Sequence, residues 1–400
     1  MSSASVGSAD GSASAGSATQ GSSTASSYDA GKPWLQSASD ASKASQQWLQ
    51  SWWTACAHCG AADAKLRCAA CKTARYCARD CQLQHHAAHK SLCAAARAVA
   101  SEPCCPLCAD PMPRDVAQIV YHACCGKESC ASCWRKIGAS PELRSQDCCP
   151  FCRAPNRKTD EELLSRLRRG VDRGDRLAMR ALGIKTRDGT FSVARDVAAG
   201  LALLERAATP SDGGAGNRLA QADLAKVFDN GTHGVAVDEV RAERWCRLAA
   251  EAGDGDGLTL LGHMYADGRG GLGAPSEAAA APWYRLAARR GHPDAALALA
   301  GALLFGERDA LGPAKIGLSL FVDLAERGHA EAQYKLGRCY LHGEDPPRTV
   351  EDPDVVTLDL DAALDYLERA ARQGHEAARD VRRSALRMAR RNPHYLLTSR

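Results

Sequence analysis

The residues best suited to chemistry in this chain are seven cysteines and one histidine between positions 56 and 93. They form four close pairs with two or three intervening residues: Cys56–Cys59, Cys68–Cys71, Cys77–Cys81 and His89–Cys93. Structural zinc takes four tetrahedral ligands, mainly thiolates with some imidazole, and such spacings let one loop supply two of them. Four pairs therefore predict two closed zinc sites. Because the segment holds few large apolar residues, the metal must supply most of its folding free energy.

A second group of cysteines follows within the next sixty residues. It holds four further pairs: Cys105–Cys108, Cys124–Cys125, Cys130–Cys133 and Cys149–Cys152. Three of these pairs have the two-residue gap that suits a shared zinc. The sequence therefore predicts that this segment also binds zinc, with two ions.

Disulfides are the alternative to zinc for the first group of cysteines. They need an oxidising compartment. The chain starts Met-Ser-Ser-Ala-Ser, which offers no apolar stretch for a signal peptide. This favours zinc and an intracellular protein, either cytoplasmic or nuclear.

The composition of the chain changes near residue 160, where cysteine gives way to alanine, leucine and glycine and a repeat begins. A block of the form Leu261-Gly-His-Met-Tyr265-x2-Gly268 recurs at Leu224, Leu299 and Leu336, and in degenerate form at Leu182. Leucines and alanines at helical spacing predict helix pairs, and the glycines suit the left-handed residue that ends a helix. A second block ends in a glycine that is followed by His292, His329 or His375. We expect these histidines to be structural, at the start of the next helix, and not metal ligands.

The first cysteine segment resembles a MYND-type zinc finger in every ligand spacing, in the Tyr76-Cys77 pair and in Gln82. The resemblance implies two interleaved zinc sites. One would use Cys56, Cys59, Cys77 and Cys81, and the other Cys68, Cys71, His89 and Cys93. His86 stands where the family usually carries a tryptophan. MYND fingers dock short proline-containing peptides, and the lost aromatic wall argues against that docking mode here.

The second cysteine segment resembles a RING domain. The resemblance implies one zinc on Cys105, Cys108, Cys130 and Cys133, and a second zinc on Cys125, Cys149, Cys152 and one further ligand. Lys127 occupies the position of the usual histidine, and a protonated lysine cannot bind zinc. An all-cysteine variety of the family places this ligand slightly upstream, which favours Cys124, with His122 as the alternative.

RING domains that activate ubiquitin-conjugating enzymes carry an apolar groove and an arginine after the last ligand. The residues at these positions are Leu107, Trp134, Ile137, Pro150 and Arg153. The resemblance implies a ubiquitin ligase without a covalent intermediate, in which Arg153 helps to hold the loaded thioester in one reactive geometry. The alternative is a non-catalytic adaptor, in which the zinc modules and the repeats only bind other proteins.

The recurring blocks resemble Sel-one-like repeats, relatives of the tetratricopeptide repeat. The resemblance implies about five stacked units that bury a shared core. The predicted fold is therefore multidomain: two small zinc-stabilised modules followed by an all-α helical-repeat solenoid. The expected divisions are a disordered Ser/Ala/Gly-rich tail with tryptophan motifs over 1–54, a MYND finger over 55–94, a RING-type finger over 103–156, and repeats with a basic C-terminal helix over 160–391.

The tail carries a Trp-Leu-Gln-Ser sequence twice, at Trp34 and at Trp48, followed by Trp52 and Trp53. These tryptophans are interpreted either as a linear binding motif or as a cover for one face of the finger that follows. An acidic, proline-containing insertion over 344–358 is expected to be an exposed loop.

Composition limits the remaining functions. The 51 basic and 47 acidic residues nearly balance, at a net charge of +4. This disfavours nucleic acid as a partner. No window is apolar over the 18 residues that a membrane span needs. The expected partners are other proteins, with a ubiquitin-conjugating enzyme among them.

Overall fold

A computed structural model shows two cysteine-rich modules and a succession of helix pairs. It describes residues 38–50, 57, 64–101, 103–110, 112, 118–140, 148–156, 159–211, 215–305, 314–342 and 359–391. The expected loop over 344–358, Trp34, Trp52, Trp53, Cys56 and Cys59 lie outside these residues.

The cysteine-rich modules contain short elements. The first has strands β1 (Leu66–Arg67) and β2 (Arg75–Tyr76), paired antiparallel, then helices α2 (Arg79–Gln84) and α3 (His86–Ala100). The second has a hairpin of β3 (Ile119–His122) and β4 (Lys127–Cys130), in which Ile119 pairs with Cys130, followed by α4 (Ala131–Ala139). Helix α1 (Ala38–Gln50) precedes both modules.

Twelve helices follow in the part of the chain that the structure describes. They are α5 (Asp160–Asp172), α6 (Arg176–Asp188), α7 (Val197–Ala208), α8 (Arg218–Asn230), α9 (Glu239–Glu251), α10 (Gly255–Asp267), α11 (Glu277–Arg289), α12 (Pro293–Phe305), α13 (Ala314–Glu326), α14 (Ala330–His342), α15 (Leu360–Arg372) and α16 (Glu376–Arg391). The closest pairs are α6–α7, α8–α9, α10–α11, α12–α13 and α14–α15, which we call repeats one to five.

Local chemistry explains where the repeat helices begin and end. Side-chain oxygens of capping residues accept hydrogen bonds from the first helical N–H groups, which have no partner inside the helix. These residues are Asp175, Asp196, Asn217, Asp238, Asp254, Ser276 and Asp359. Gly268 ends α10 at φ +69°, a left-handed conformation that favours glycine. Gly262 lies against the Tyr284 ring, where a Cβ atom would meet ring carbons at 2.5–2.6 Å. The recurring Leu-Gly…Gly block therefore encodes a buried leucine, close helix contact and a helix end.

The predicted role of the repeat histidines is confirmed. The backbone N–H groups of Ala332 and Ala378 donate to Nδ1 of His329 and His375, at the starts of α14 and α16. On the other side of its ring, His375 Nε2 lies 2.8 Å from a Glu331 carboxylate oxygen of the preceding repeat.

One expected assignment was wrong. Residues 38–50 were assigned to a disordered tail, but they form α1, which packs on α11 and α13. Trp48 belongs to that contact with the repeats. Helix α3 continues past the expected end of the first module, and its extension packs on α9 and α11 through Leu92, Ala95 and Ala96. The expected basic helix at the C-terminal end is present as α16, with Ala378 and Ala385 buried.

Candidate metal centres

Three groups of four ligand side chains come together in the described part of the chain. In each group the four ligand atoms lie within 4.8 Å of one another. The groups are Cys68, Cys71, His89 and Cys93 (cluster one), Cys105, Cys108, Cys130 and Cys133 (cluster two), and Cys124, Cys125, Cys149 and Cys152 (cluster three). The structure therefore unites the sets that the family resemblances imply, and in cluster three it brings in Cys124.

The spacing inside the clusters suits zinc. A tetrahedron with zinc–sulfur bonds of about 2.3 Å has edges of about 3.8 Å. Sulfur–sulfur distances are 3.8 Å in cluster one, 3.9 Å in cluster two and 3.8 Å in cluster three. The Cys71 Sγ to His89 Nε2 distance is 3.5 Å, and an imidazole edge should be shorter because zinc–nitrogen bonds are shorter. The donor set and its geometry fit a closed structural zinc site.

A common backbone turn builds one side of each cluster. In Cys68–Cys71, Cys105–Cys108 and Cys149–Cys152, the residue after the second cysteine donates its N–H to the carbonyl of the first cysteine, at 2.9–3.0 Å. That following residue has a φ of +56° to +60° in every case: Lys72, Ala109 and Arg153. Non-glycine residues seldom adopt this conformation, which costs roughly 1–2 kcal/mol. The same strained turn in three places indicates a shared requirement, which is to aim two thiols at one point.

Electrostatics within cluster one already favour one thiolate. Burial raises the pKa of Cys71, but the hydrogen bond with His89 and backbone hydrogen bonds at Ala74 and Thr73 outweigh it, and the pKa falls to about 5. Burial and the negative charge of Cys71 raise the pKa of Cys93 to about 12. A cation of charge +2 is what would allow all of these thiols to ionise together.

His122, the alternative ligand, lies beside cluster three and not within it. Its Nδ1 is 3.8 Å from Cys149 Sγ, and its Nε2 is 2.9 Å from the Ser129 hydroxyl. Trp134 and Phe151 pack edge-on against its ring at 5.2 Å between centroids. Burial lowers the pKa of His122, so the ring is neutral and can donate one N–H to a thiolate. It is a supporting residue whose role the sequence did not reveal.

The fourth expected zinc set is described only in part. Cys77 Sγ and Cys81 Sγ lie 3.5 Å apart, across the start of α2. Their expected partners, Cys56 and Cys59, lie outside the described residues. This set remains a prediction.

The residues expected to bind a ubiquitin-conjugating enzyme have mixed surroundings. Leu107 is 37% exposed, and Arg153 is exposed. Ile137 and Pro150 are half-buried. Trp134, also half-buried, lines a cleft of about 490 Å³ that is also lined by Leu163 and Arg166 of α5. One of the apolar residues therefore faces a cleft that the chain itself partly closes. The exposed Lys127 places its ammonium group 5.2 Å from the Phe151 ring centre.

Both modules are fixed to the repeats. Gly253, at the end of repeat two, approaches α3 so closely that a Cβ atom there would lie 3.0 Å from the Ala98 Cβ. In the second module, the Tyr121 hydroxyl donates to a carboxylate oxygen of Asp175 at 2.6 Å. The other oxygen of Asp175 caps α6. Burial and this carboxylate raise the pKa of Tyr121, so the hydroxyl keeps its proton.

Comparison with known proteins identifies two of the segments. The MYND finger family matches residues 56–93, and the Sel1 repeat family matches residues 176–209, 218–254, 255–292 and 330–375. No curated protein matches the chain.

Among solved structures, the chain is similar to a Sel1 repeat protein from Oxalobacter formigenes. The identity is 22% and the TM-score 0.48, with 60% of this chain and 91% of that chain covered. It is also similar to a protective antigen present in uropathogenic Escherichia coli strains that displays an SLR fold. Here the identity is 22% and the TM-score 0.47, with 67% of this chain and 54% of that chain covered.

Helix length and hydropathy add one further finding: none of the helices in the described residues is long and apolar enough to cross a membrane. The family matches confirm two predictions, the MYND finger and the Sel1 repeats. The chain thus combines a zinc-binding, cysteine-rich N-terminal region that includes a MYND finger over 56–93 with an all-helical solenoid that includes Sel1 repeats between 176 and 375.

Proposed function

We propose that this protein is a zinc-stabilised scaffold that binds other proteins and holds them in a fixed arrangement. The observation that carries the proposal is the docking of both cysteine-rich modules onto the repeats, through α3 on α9 and α11 and through Tyr121 on Asp175. Modules on flexible linkers would recruit partners independently. Modules packed on one solenoid present their surfaces at set distances.

The exposed apolar residues support a binding role. Leu66 and Leu83 are 43% and 61% exposed on the MYND finger, and Val240 is 71% exposed on the first turn of α9. Large exposed apolar side chains on a small zinc module are candidates for contact with a partner. The cation implied by the clusters is structural zinc, which holds these surfaces in shape and takes no part in a reaction.

The test compares partners captured with the intact, zinc-loaded protein and with matched surface variants. Proteins retained from an extract are identified, purified and measured individually by calorimetry against the wild type, Leu83→Ser and Val240→Ser. We expect at least one partner to lose tenfold or more in affinity for one variant while the zinc content stays constant. If no purified partner binds with a Kd below about 10 µM, the scaffold proposal fails.

A ubiquitin ligase is the second candidate. Clusters two and three have the ligand arrangement that the RING resemblance implies, and Leu107 and Arg153 are exposed. This function ranks below the scaffold because α5 lines the same cleft as Trp134, one of the residues expected to contact the conjugating enzyme.

Self-ubiquitination with purified components tests the ligase. A broad panel of conjugating enzymes should give transfer with the wild type and little with Arg153→Ala at unchanged zinc content. No transfer with any enzyme in the panel would exclude it and leave the adaptor role. A reducing compartment, cytoplasmic or nuclear, is part of either proposal because the clusters need free thiols.

A further inference from the structure

Helix α1 lies apart from its neighbours in sequence. It precedes the MYND finger in the chain, yet it packs on α11 and α13, the second helices of repeats three and four. Its buried residues Ala41 and Leu49 join the apolar core cluster of repeats three to five, so α1 covers part of the apolar surface of those repeats. Helix α1 therefore lies on α11 and α13 in the position that a helix from a binding partner could take.

One face of α1 makes the contact. Ala41, Ser45 and Leu49 are 0%, 1% and 7% exposed and recur every fourth residue, which places them on one side of the helix. Lys43 and Gln46, on other sides, are exposed. Ala41 and Ser45 have small side chains, which lets the α1 backbone approach the repeats closely.

Trp48 provides the most specific contact. The guanidinium carbon of Arg285 lies 3.1 Å from the centre of the indole, and Nη2 of Arg285 donates to the Trp48 carbonyl at 3.4 Å. Arg285 belongs to α11 and is only 2% exposed. A planar guanidinium stacked on an indole face is a favourable cation–π contact, and it is strengthened where water is excluded. The solenoid therefore carries a buried cation that matches a tryptophan.

Helix α1 fills this site incompletely. A cleft of about 420 Å³ remains beside it, lined on the α1 side by Ser45, Gln46 and Leu49. The solenoid side combines apolar residues, among them Leu320 and Leu324, with charged residues, among them Asp323 and Arg327. Among residues 40–49, whose burial the structure describes, Ala41 and Leu49 are the fully buried apolar residues, and Trp48 is half-buried. Because an isolated helix of 13 residues is marginal in water, the high local concentration that the chain gives α1 contributes to its binding.

The sequence supplies a natural comparison. The pattern small-x3-small-x2-Trp-Leu describes Ala41, Ser45, Trp48 and Leu49, and it also occurs at Trp34 with Ser27 and Gly31. However, Pro33 directly precedes Trp34. Proline lacks the N–H group, clashes with the carbonyl four residues earlier and disfavours helix in the residue before it. The second copy lacks such a proline and presents the pattern on one continuous helix, α1.

We propose that the α11–α13 surface is a docking site for an amphipathic helix with the pattern small-x3-small-x2-Trp-Leu. Helix α1 holds the site in cis, and a partner helix with a larger apolar residue in place of Ser45 fills the remaining cleft and displaces it. This inference rests on the proposed scaffold function and specifies one of its binding surfaces.

The experiment uses the full-length, zinc-loaded protein and a fluorescently labelled peptide of residues 38–51. Affinity is measured with the wild type and with Trp48→Ala, whose cis helix is weakened. We expect the peptide to bind Trp48→Ala at least tenfold more tightly than the wild type. The Ser45→Leu peptide should bind at least threefold more tightly than the native peptide. The peptide of residues 24–37, which contains Pro33, should not bind, and Arg285→Leu combined with Trp48→Ala should lose binding.

Hydrogen exchange gives a readout that uses the wild-type protein. Saturating Ser45→Leu peptide should accelerate amide exchange of residues 38–50 in the wild type. Unchanged exchange, or equal peptide affinity of the wild type and a folded Trp48→Ala protein, would overturn the proposal. If the peptides fail while purified partners still bind, the docking site is refuted and the scaffold stands; if partners also fail, both fall.

Discussion

The contact between Gly253 and α3 allows the fixed docking of the MYND finger to be measured by one substitution. Gly253 has φ +75° at the end of repeat two. In Gly253→Ala the new Cβ would lie 3.0 Å from the Ala98 Cβ, 3.1 Å from the Ala98 carbonyl carbon and 3.2 Å from the Val99 nitrogen. Two of these atoms belong to the α3 backbone, so they cannot move away as a flexible side chain could.

A matched control separates this clash from backbone strain. Gly328 ends repeat four at φ +90°, and its N–H donates to Ala325 in the way that the Gly253 N–H donates to Ala250. A Cβ atom on Gly328 would meet no heavy atom of the described residues within 4 Å. Both alanine variants bear the left-handed strain of roughly 1–2 kcal/mol. Only Gly253→Ala also bears an overpacking cost, typically about 1–3 kcal/mol.

The assay is amide hydrogen exchange, since it reports opening of α3 separately from unfolding of the repeats. Gly253→Ala should lower the opening free energy over residues 89–100 by about 1–3 kcal/mol, and Gly328→Ala should leave it unchanged. The urea midpoint of the repeats should fall for both variants. Equal exchange of α3 in the two variants would refute the docking of the finger onto repeat two.

Three further predictions concern the zinc sites and the repeats. Native mass spectrometry should find four zinc ions in the wild type, one in each of the three clusters and one in the predicted set of Cys56, Cys59, Cys77 and Cys81. It should find three in Cys71→Ser, which lacks one ligand of cluster one. Tyr121→Phe should destabilise the contact of the second module with Asp175 by about 1.5–3 kcal/mol, the usual contribution of a hydrogen bond to a charged group, seen as faster exchange of the hairpin. Hydrogen bonding with His292 and Lys226 lowers the pKa of the Asp256 carboxyl. The ionised carboxylate therefore stabilises the fold fully above its ordinary pKa near 4, and this stabilisation is lost as the pH falls below that value. The urea midpoint should accordingly change less between pH 5 and pH 2.5 in Asp256→Asn than in the wild type.

The repeats could be predicted from the sequence because their determinants are local. Leu261, Gly262 and Gly268 specify a core residue, a close contact and a helix end within eight positions, and the same spacing recurs. Cysteine pairs are local in the same sense, since two ligands come from one turn. Each of these signals acts within a few residues, and the fold reproduces them.

Helix α1 could not be predicted because the first two buried positions of its contact face, Ala41 and Ser45, are small residues. Ala41 and Ser45 are indistinguishable in composition from the Ser/Ala-rich tail, and they become informative only against α11 and α13. The choice between Cys124 and His122 was similarly non-local. The β3–β4 pairing directs His122 toward Ser129. The turn between β3 and β4 brings Cys124 and Cys125 to Cys149. Pairing across the hairpin, which the cysteine spacing does not encode, decides which side chain reaches the cluster.

Helices α1 and α3 both pack on the repeats and connect cluster one to the proposed docking site. Helix α3 carries the ligands His89 and Cys93 at one end and the repeat contacts Ala95 and Ala96 further along. Zinc binding in cluster one therefore fixes the rotation of a helix whose other end packs on α9 and α11. Because α1 also packs on α11, the finger and the proposed docking site share one supporting helix. Loss of zinc should accordingly weaken partner binding at the α11–α13 surface even though no ligand of cluster one lies on that surface.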